Sequence, residues 1–136
     1  MPQTITRGIA AMIEEANAAI ETLSAADAMA QARDAEVVLV DLRDPRELER
    51  EGCIPGAFSC PRGMLEFWID PQSPYARTVF QQDRKFIFFC AGGLRSALAA
   101  KTAQDMGLKP VAHIRGGFAA WRDSGGAVEP WVKRKG

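Results

Sequence analysis

The run Phe86-Ile87-Phe88-Phe89-Cys90-Ala91-Gly92-Gly93-Leu94-Arg95-Ser96-Ala97-Leu98-Ala99-Ala100 constrains this chain more than any other stretch. Its opening residues are aromatic and β-branched, the composition of a strand buried on both faces of a sheet. Its closing residues are rich in Ala, Leu and Lys, with strong helix propensity. Between the two, a cysteine is followed by paired glycines, which let the backbone turn sharply and aim its N–H groups inward with no Cβ in the way. Ser96 is placed to cap the helix. A strand, loop and helix in this order set Cys90 at the mouth of a ring of amides above a helix N-terminus, where the field favours a negative charge. A thiolate is such a charge.

A free cysteine titrates near about pH 8.5, so only a few per cent is ionised at neutral pH. A helix N-terminus and a nearby guanidinium such as Arg95 lower that value into or below the neutral range. Cys90 is therefore expected as an exposed, cradled and mostly ionised nucleophile. The bland alternative is a small apolar cysteine filling a strand end. That alternative leaves the paired glycines, the arginine and the serine at these spacings without a reason.

The segment Cys90-Ala91-Gly92-Gly93-Leu94-Arg95-Ser96 resembles the active-site loop of the rhodanese-like sulfurtransferases, of pattern C-x-x-G-x-R-S. Two further stretches agree. Asp41-Leu42-Arg43-Asp44 followed by Gly52-Cys53-Ile54-Pro55-Gly56-Ala57 is similar to the upstream signature of that family, D-x-R and then G-H-I-P-G-A, with Cys53 where the family usually has histidine. Gly107-Leu108 through Ile114-Arg115-Gly116-Gly117-Phe118-Ala119-Ala120-Trp121 is similar to its closing signature. The resemblance covers most of residues 20–128, leaving residues 1–19 as a helical extension and 129–136 as a tail. It implies a three-layer α/β/α fold with a five-stranded parallel sheet. It also implies a catalytic Cys90 that carries a persulfide, bound by a loop of Ala91, Gly92, Gly93, Leu94, Arg95 and Ser96. The implied reaction moves a sulfane sulfur from a donor such as thiosulfate or mercaptopyruvate to a thiol or cyanide, with no cofactor. A non-catalytic sulfur carrier or protein-binding module, which hands its sulfur to a protein partner, is the alternative, and a cysteine-dependent phosphatase or arsenate reductase is a further one. Tyrosine and dual-specificity phosphatases hold phosphate in a C-x5-R loop, whereas Cys90 to Arg95 is C-x4-R, a shorter ring better suited to one sulfur atom.

Composition sets the outer limits. A chain of 136 residues is long enough for one domain with a proper core and short for two. With 47% apolar and 25% charged residues it reads as globular, and 17 basic against 17 acidic residues point to neither nucleic acid nor anionic lipid. No stretch approaches a membrane span, and Glu14 and Glu15 interrupt any leader-like pattern early, so a cytoplasmic monomer or homodimer is expected. Cysteines 53, 60 and 90 and the single histidine, His113, form no metal-binding spacing. Cys53 and Cys60 read as spectators, or as a resolving thiol that takes sulfur from Cys90.

Along the chain, apolar residues at helical spacing predict a helix over 5–19, packed on the sheet or on a second copy. A short strand over 20–23 and a Ser24-capped helix to 33 follow. The run 36–41 reads as a central parallel strand ending at Asp41-Leu42-Arg43, which places Asp41 and Arg43 at the ligand-bearing edge with Cys90, either as an ion pair fixing the next turn or as a second layer behind the site. Pro45 suits the first turn of a helix to 51. A strand over 57–60 leads to a helix over 61–70, whose Arg62 is a further candidate for an anionic substrate. After the Cys90 loop, a helix over 96–106 closed by Gly107, a strand over 111–114 and a capping helix over 118–124 complete the pattern. His113, alone in an apolar strand, reads as a packed residue rather than a base for Cys90. Lys133-Arg134-Lys135 reads as a solvated tail.

Overall fold

The apolar runs become the strands of one sheet. The computed structural model describes residues 2–132, so Lys133-Arg134-Lys135 lies outside the described residues. In chain order the elements are α1 (Ile9–Ala19), β1 (Glu21–Leu23), α2 (Ala25–Ala32), β2 (Val37–Asp41), α3 (Pro45–Glu51), β3 (Phe58–Ser59), a 3-10 turn (Arg62–Met64) and α4 (Leu65–Ile69). A second 3-10 turn (Thr78–Gln81), β4 (Lys85–Phe89), α5 (Leu94–Asp105), β5 (Val111–Ile114) and α6 (Gly117–Asp123) follow. The five strands are all parallel in the order β1-β5-β4-β2-β3. The fold is the expected α/β/α arrangement.

Two cores line the sheet because β-strand side chains alternate between its faces. From β4, Phe86 and Phe88 join Val38, Val40, Leu65 and the alanines of α5 on one face. Ile87 and Phe89 join Leu39, Ile114, Phe118 and Trp121 under α2 and α6 on the other. These four residues of β4, Phe86 to Phe89, are fully buried. Small side chains on α5, Ala99, Ala100 and Ala103, let that helix lie close to the sheet, and α1 packs outside it with Ala16 buried.

Local chemistry sets the element ends. Ser24 Oγ accepts the Asp27 N–H at 3.1 Å and caps α2. Asp44 and Glu47 form a reciprocal capping box at the start of α3, with Pro45 in its first turn. Three expectations shift. α1 begins at Ile9 rather than at residue 5, and Ile5 and Ile9 remain 76% and 60% exposed because only its later turns meet α5. The helix expected over 61–70 is split into a 3-10 turn and the five-residue α4, in keeping with the low helix propensity of Gly63. The helix after the Cys90 loop starts at Leu94, and its N-cap is Gly93 rather than Ser96.

Candidate active site

Parallel pairing brings the carboxyl ends of β2 and β4 together, with Asp41 opposite Phe89 and the Leu42 N–H donating to the Phe89 carbonyl at 2.9 Å. Cys90 leaves the sheet there. Gly93 adopts φ +102°, a left-handed conformation open to glycine, and a Cβ on it would stand 3.1 Å from the Gly116 nitrogen. That turn starts α5 two residues earlier than expected and makes Ser96 its third residue. As a result the Gly93 N–H and the Ser96 N–H both donate to Cys90 Sγ, at 3.2 and 3.4 Å. Ser96 Oγ lies 3.7 Å from the sulfur. The sulfur thus faces the free amides at the start of a 12-residue helix, a setting that favours negative charge.

Residues 24–124 match the model of the rhodanese-like domain. The chain belongs to the rhodanese-like family. It is 31% identical to a sulfurtransferase of Allochromatium vinosum over 90 residues, 66% of this chain and 76% of that protein. It is 26% identical to the mouse thiosulfate sulfurtransferase/rhodanese-like domain-containing protein 3, over 63% of this chain and 58% of that protein. A solved structure of a protein of unknown function from Rhodopseudomonas palustris, described as a possible tyrosine phosphatase, is 73% identical and superposes with a TM-score of 0.92, covering 95% of this chain and 99% of that one.

In this rhodanese-like domain Cys90 is buried, 1% exposed, contrary to the expectation of an exposed thiol. Its side chain joins Cys60, Leu65, Phe88 and Ala99 in the core on the α5 face of the sheet, while the start of α6 fixes the loop backbone. Phe118 and Ala119 donate their N–H groups to the carbonyls of Cys90 and Ala91 at 2.7 and 3.1 Å. Gly117 permits that approach, since a Cβ there would fall 2.3 Å from the Cys90 carbonyl oxygen. Solvent meets the loop at its rim, where Gly92 and Leu94 are exposed and Ala91 is half-buried.

Arg95 is the loop's cation, and its guanidinium is engaged. Nη1 and Nη2 donate to Glu47 Oε2 and Oε1 at 3.0 and 2.8 Å. That bidentate pair holds the Glu47 carboxyl at about 2 and raises Arg95 further above its ordinary value. Glu47 also accepts the Asp44 N–H at 2.9 Å, so the same carboxylate caps α3 and restrains Arg95. Sequence reasoning missed Glu47 as a site residue. The pattern Asp44-Pro45-Arg46-Glu47 signals a capping box, and nothing in it points to a partner 48 residues away.

The remaining candidates separate. Asp41 and Arg43 form the structural ion pair, with Nε to Oδ1 at 3.0 Å and Nη2 to Oδ2 at 2.8 Å, both residues buried. Arg43 also donates to the Gly52 carbonyl and lies 4.0 Å over the Phe118 ring, supporting the residue whose N–H holds Cys90 in place. Arg62 pairs with Glu66 at 2.8 Å and lines a groove with Met12, Glu15 and Leu98 between α1 and α5, apart from the loop. Cys53 pairs through its backbone with Glu129, and burial raises its thiol. Cys60 is fully buried and its thiol is pushed up to about 12 by desolvation. β2 runs between Cys60 and Cys90, so their backbones are about 10 Å apart, beyond disulfide reach. Among the described residues no group of three His, Cys, Asp or Glu side chains is placed to hold a metal ion, and no helix is long and apolar enough to cross a membrane.

His113 is packed within β5, as its apolar neighbours indicate, yet it is also tied to the loop. Its Nδ1 lies 3.0 Å from Ser96 Oγ. Desolvation, with a smaller contribution from Arg115, lowers it to about 4 and keeps the ring neutral.

Proposed function

We propose that this rhodanese-like domain is a sulfurtransferase in which Cys90 carries the sulfur as a persulfide. The Cys90 thiolate attacks the outer sulfur of a donor of the thiosulfate or mercaptopyruvate type. With thiosulfate, a new sulfur–sulfur bond forms, the donor's own sulfur–sulfur bond breaks, and sulfite leaves with the electron pair. A thiolate or cyanide acceptor, either a small molecule or a protein thiol, then attacks the outer persulfide sulfur and returns Cys90 to the thiolate. Two successive displacements of this kind give ping-pong kinetics.

The observation that carries this reading is the convergence of the Gly93 and Ser96 N–H groups on one sulfur atom at the start of α5. Near-complete burial of Cys90 favours a donor with a slim, projecting sulfur over a bulky one. Incubation with thiosulfate followed by intact mass measurement tests it. Wild type gains the mass of one sulfur atom and Cys90→Ala gains none. A wild type that gains nothing from a panel of sulfane donors, or a variant that gains as much, ends the proposal.

The description of the Rhodopseudomonas palustris relative favours a second reading, a cysteine-dependent phosphatase. One feature weighs against it: the C-x4-R spacing from Cys90 to Arg95, one residue shorter than a loop that holds a phosphoryl group. Turnover of an aryl phosphate with no sulfur uptake would reverse the order of the two.

A further inference from the structure

An unbroken chain of polar contacts runs from Cys90 to the surface. Cys90 Sγ lies 3.7 Å from Ser96 Oγ, and Ser96 Oγ lies 3.0 Å from His113 Nδ1. His113 Nε2 lies 2.8 Å from Asn17 Oδ1 and 3.2 Å from Thr22 Oγ1. Ser96 and His113 are 0% and 3% exposed, whereas Asn17 is exposed. Asn17 and Thr22 line a groove of about 460 Å3 together with Gly92, Gly93 and Arg115. Asn17 belongs to α1, ahead of the residues matched by the family model.

The ring imposes a direction on this chain. A neutral imidazole carries one N–H. Around His113 the facing groups on β1, α1, α5 and β4 are Thr22, Asn17, Ser96 and Phe88, all uncharged, and the charged group acting on it is Arg115. Asn17 presents its carbonyl oxygen, so Nε2 carries the hydrogen and Nδ1 accepts from the Ser96 hydroxyl. Ser96 then turns a lone pair toward Cys90, which suits a protonated thiol. A charged sulfur needs the reverse: the Ser96 O–H turned onto sulfur, Nδ1–H donating to Ser96 Oγ, and a bare Nε2 accepting from the Thr22 hydroxyl or a rotated Asn17 amide.

We propose that His113 and Asn17 are positioning residues for Cys90: the His113 tautomer, steered by Asn17 from α1, sets the direction of the Ser96 hydroxyl and conducts the Cys90 proton to the groove. The Cys90 S–H proton passes to Ser96 Oγ as the Ser96 proton passes to His113 Nδ1, and the Nε2 proton leaves to solvent in the groove. The ring stays neutral, the sulfur gains one negative charge, and one proton is released. This inference rests on the reading of Cys90 as an ionising nucleophile.

The chain has a single histidine, so imidazole nitrogen NMR of the full-length protein reports one ring. The ring tautomer is followed against pH while Cys90 ionisation is followed by thiolate absorbance, as the difference from Cys90→Ala, which cancels Cys53 and Cys60. The ring should carry its hydrogen on Nε2 while Cys90 is protonated and switch to Nδ1–H with the same midpoint as the thiol. The switch should be lost in Cys90→Ala and in Ser96→Ala. In Asn17→Ala, an exposed position, the ratio of Nε2–H to Nδ1–H at the protonated end should fall about five-fold. A ring that keeps one tautomer while Cys90 ionises overturns the proposal, as does a thiol that stays protonated wherever the fold persists. Sulfur uptake is no part of the readout. A tautomer switch in a protein that takes up no sulfur keeps this inference and removes the sulfurtransferase reading, and persulfide formation beside a fixed tautomer does the opposite.

Discussion

Glu47 clamps Arg95 through both carboxylate oxygens, at 2.8 and 3.0 Å, and so ties the first turn of α3 to the first turn of α5. The two helices start from the carboxyl ends of neighbouring strands, β2 and β4. One ion pair therefore closes the edge of the sheet where Cys90 sits. It also fixes the charge that an incoming anion meets, because a guanidinium bound to a carboxylate has little attraction left to offer.

Glu47→Gln should separate these two roles. Loss of the charge-assisted pair is expected to cost about 1–2 kcal/mol of stability at neutral pH. Glu47 titrates at about 2 in the fold against an ordinary 4.5, so its contribution is present above 4.5 and fades as pH falls toward 2. Urea denaturation at pH 7 and again near pH 3 should show the gap between variant and parent narrowing at the acid end. In steady-state kinetics the released Arg95 should lower KM for thiosulfate, and an unchanged or raised KM would show that Arg95 does not reach the donor.

His113 gives a different acid signature. The folded protein holds it at about 4 and the unfolded chain at about 6.5, so the unfolded state binds more protons between those values. Stability is full above 6.5 and declines as pH falls toward 4, by an amount of order 2–3 kcal/mol. His113→Gln, which cannot be protonated, should flatten the dependence of the urea midpoint between pH 6.5 and 5, a window above the range of Glu47. A parent protein with no slope in that window would show that the ring is not held neutral.

The parallel sheet was legible because β2 and β4 are continuous apolar runs and β5 is bounded by Pro110 and Gly116, and those periodicities are local. The Cys90 loop was legible for the same reason, its seven residues, Cys90 to Ser96, being contiguous. What escaped is what the fold assembles from a distance. Glu47 meets Arg95 across 48 residues, and Asn17 meets His113 across 96. Serine before a helix usually caps it, and Ser96 reads so in sequence, but the left-handed Gly93 starts α5 earlier and frees the hydroxyl for His113. Burial of Cys90 was equally hidden, since it depends on a core shared with Cys60 and Leu65 rather than on the loop's own composition.

Cys60 should prove a bystander. Its thiol is buried, pushed up to about 12, and separated from Cys90 by the intervening strand. Cys60→Ala is expected to cost about 1 kcal/mol from the lost packing while leaving sulfur uptake at Cys90 unchanged in peptide mass spectra. A trapped Cys60–Cys90 disulfide after persulfide decay would instead make it a resolving thiol.

Gly117 offers the most direct control over the loop. At φ +58° it turns the chain into α6, and its missing Cβ leaves room for the Cys90 carbonyl, which a methyl group would meet at 2.3 Å, with the Ala91 carbonyl carbon and oxygen at 3.0 Å. Those contacts are with backbone, so no side-chain rotation relieves them. Gly117→Ala must push α6 away and break the Phe118 and Ala119 hydrogen bonds that hold the carbonyls of Cys90 and Ala91. Both the left-handed strain and the clash destabilise, by about 2–4 kcal/mol together. Thermal denaturation measures that loss, and Gly116→Ala is the comparison, since a methyl there meets the Ala120 side chain at 2.8 Å rather than the loop. Alkylation of Cys90 distinguishes the two: it should quicken in Gly117→Ala, where the backbone that positions the sulfur is released, and stay near the parent rate in Gly116→Ala. Equal protection of Cys90 in both variants would mean that the buried state of the thiol owes nothing to the docking of α6.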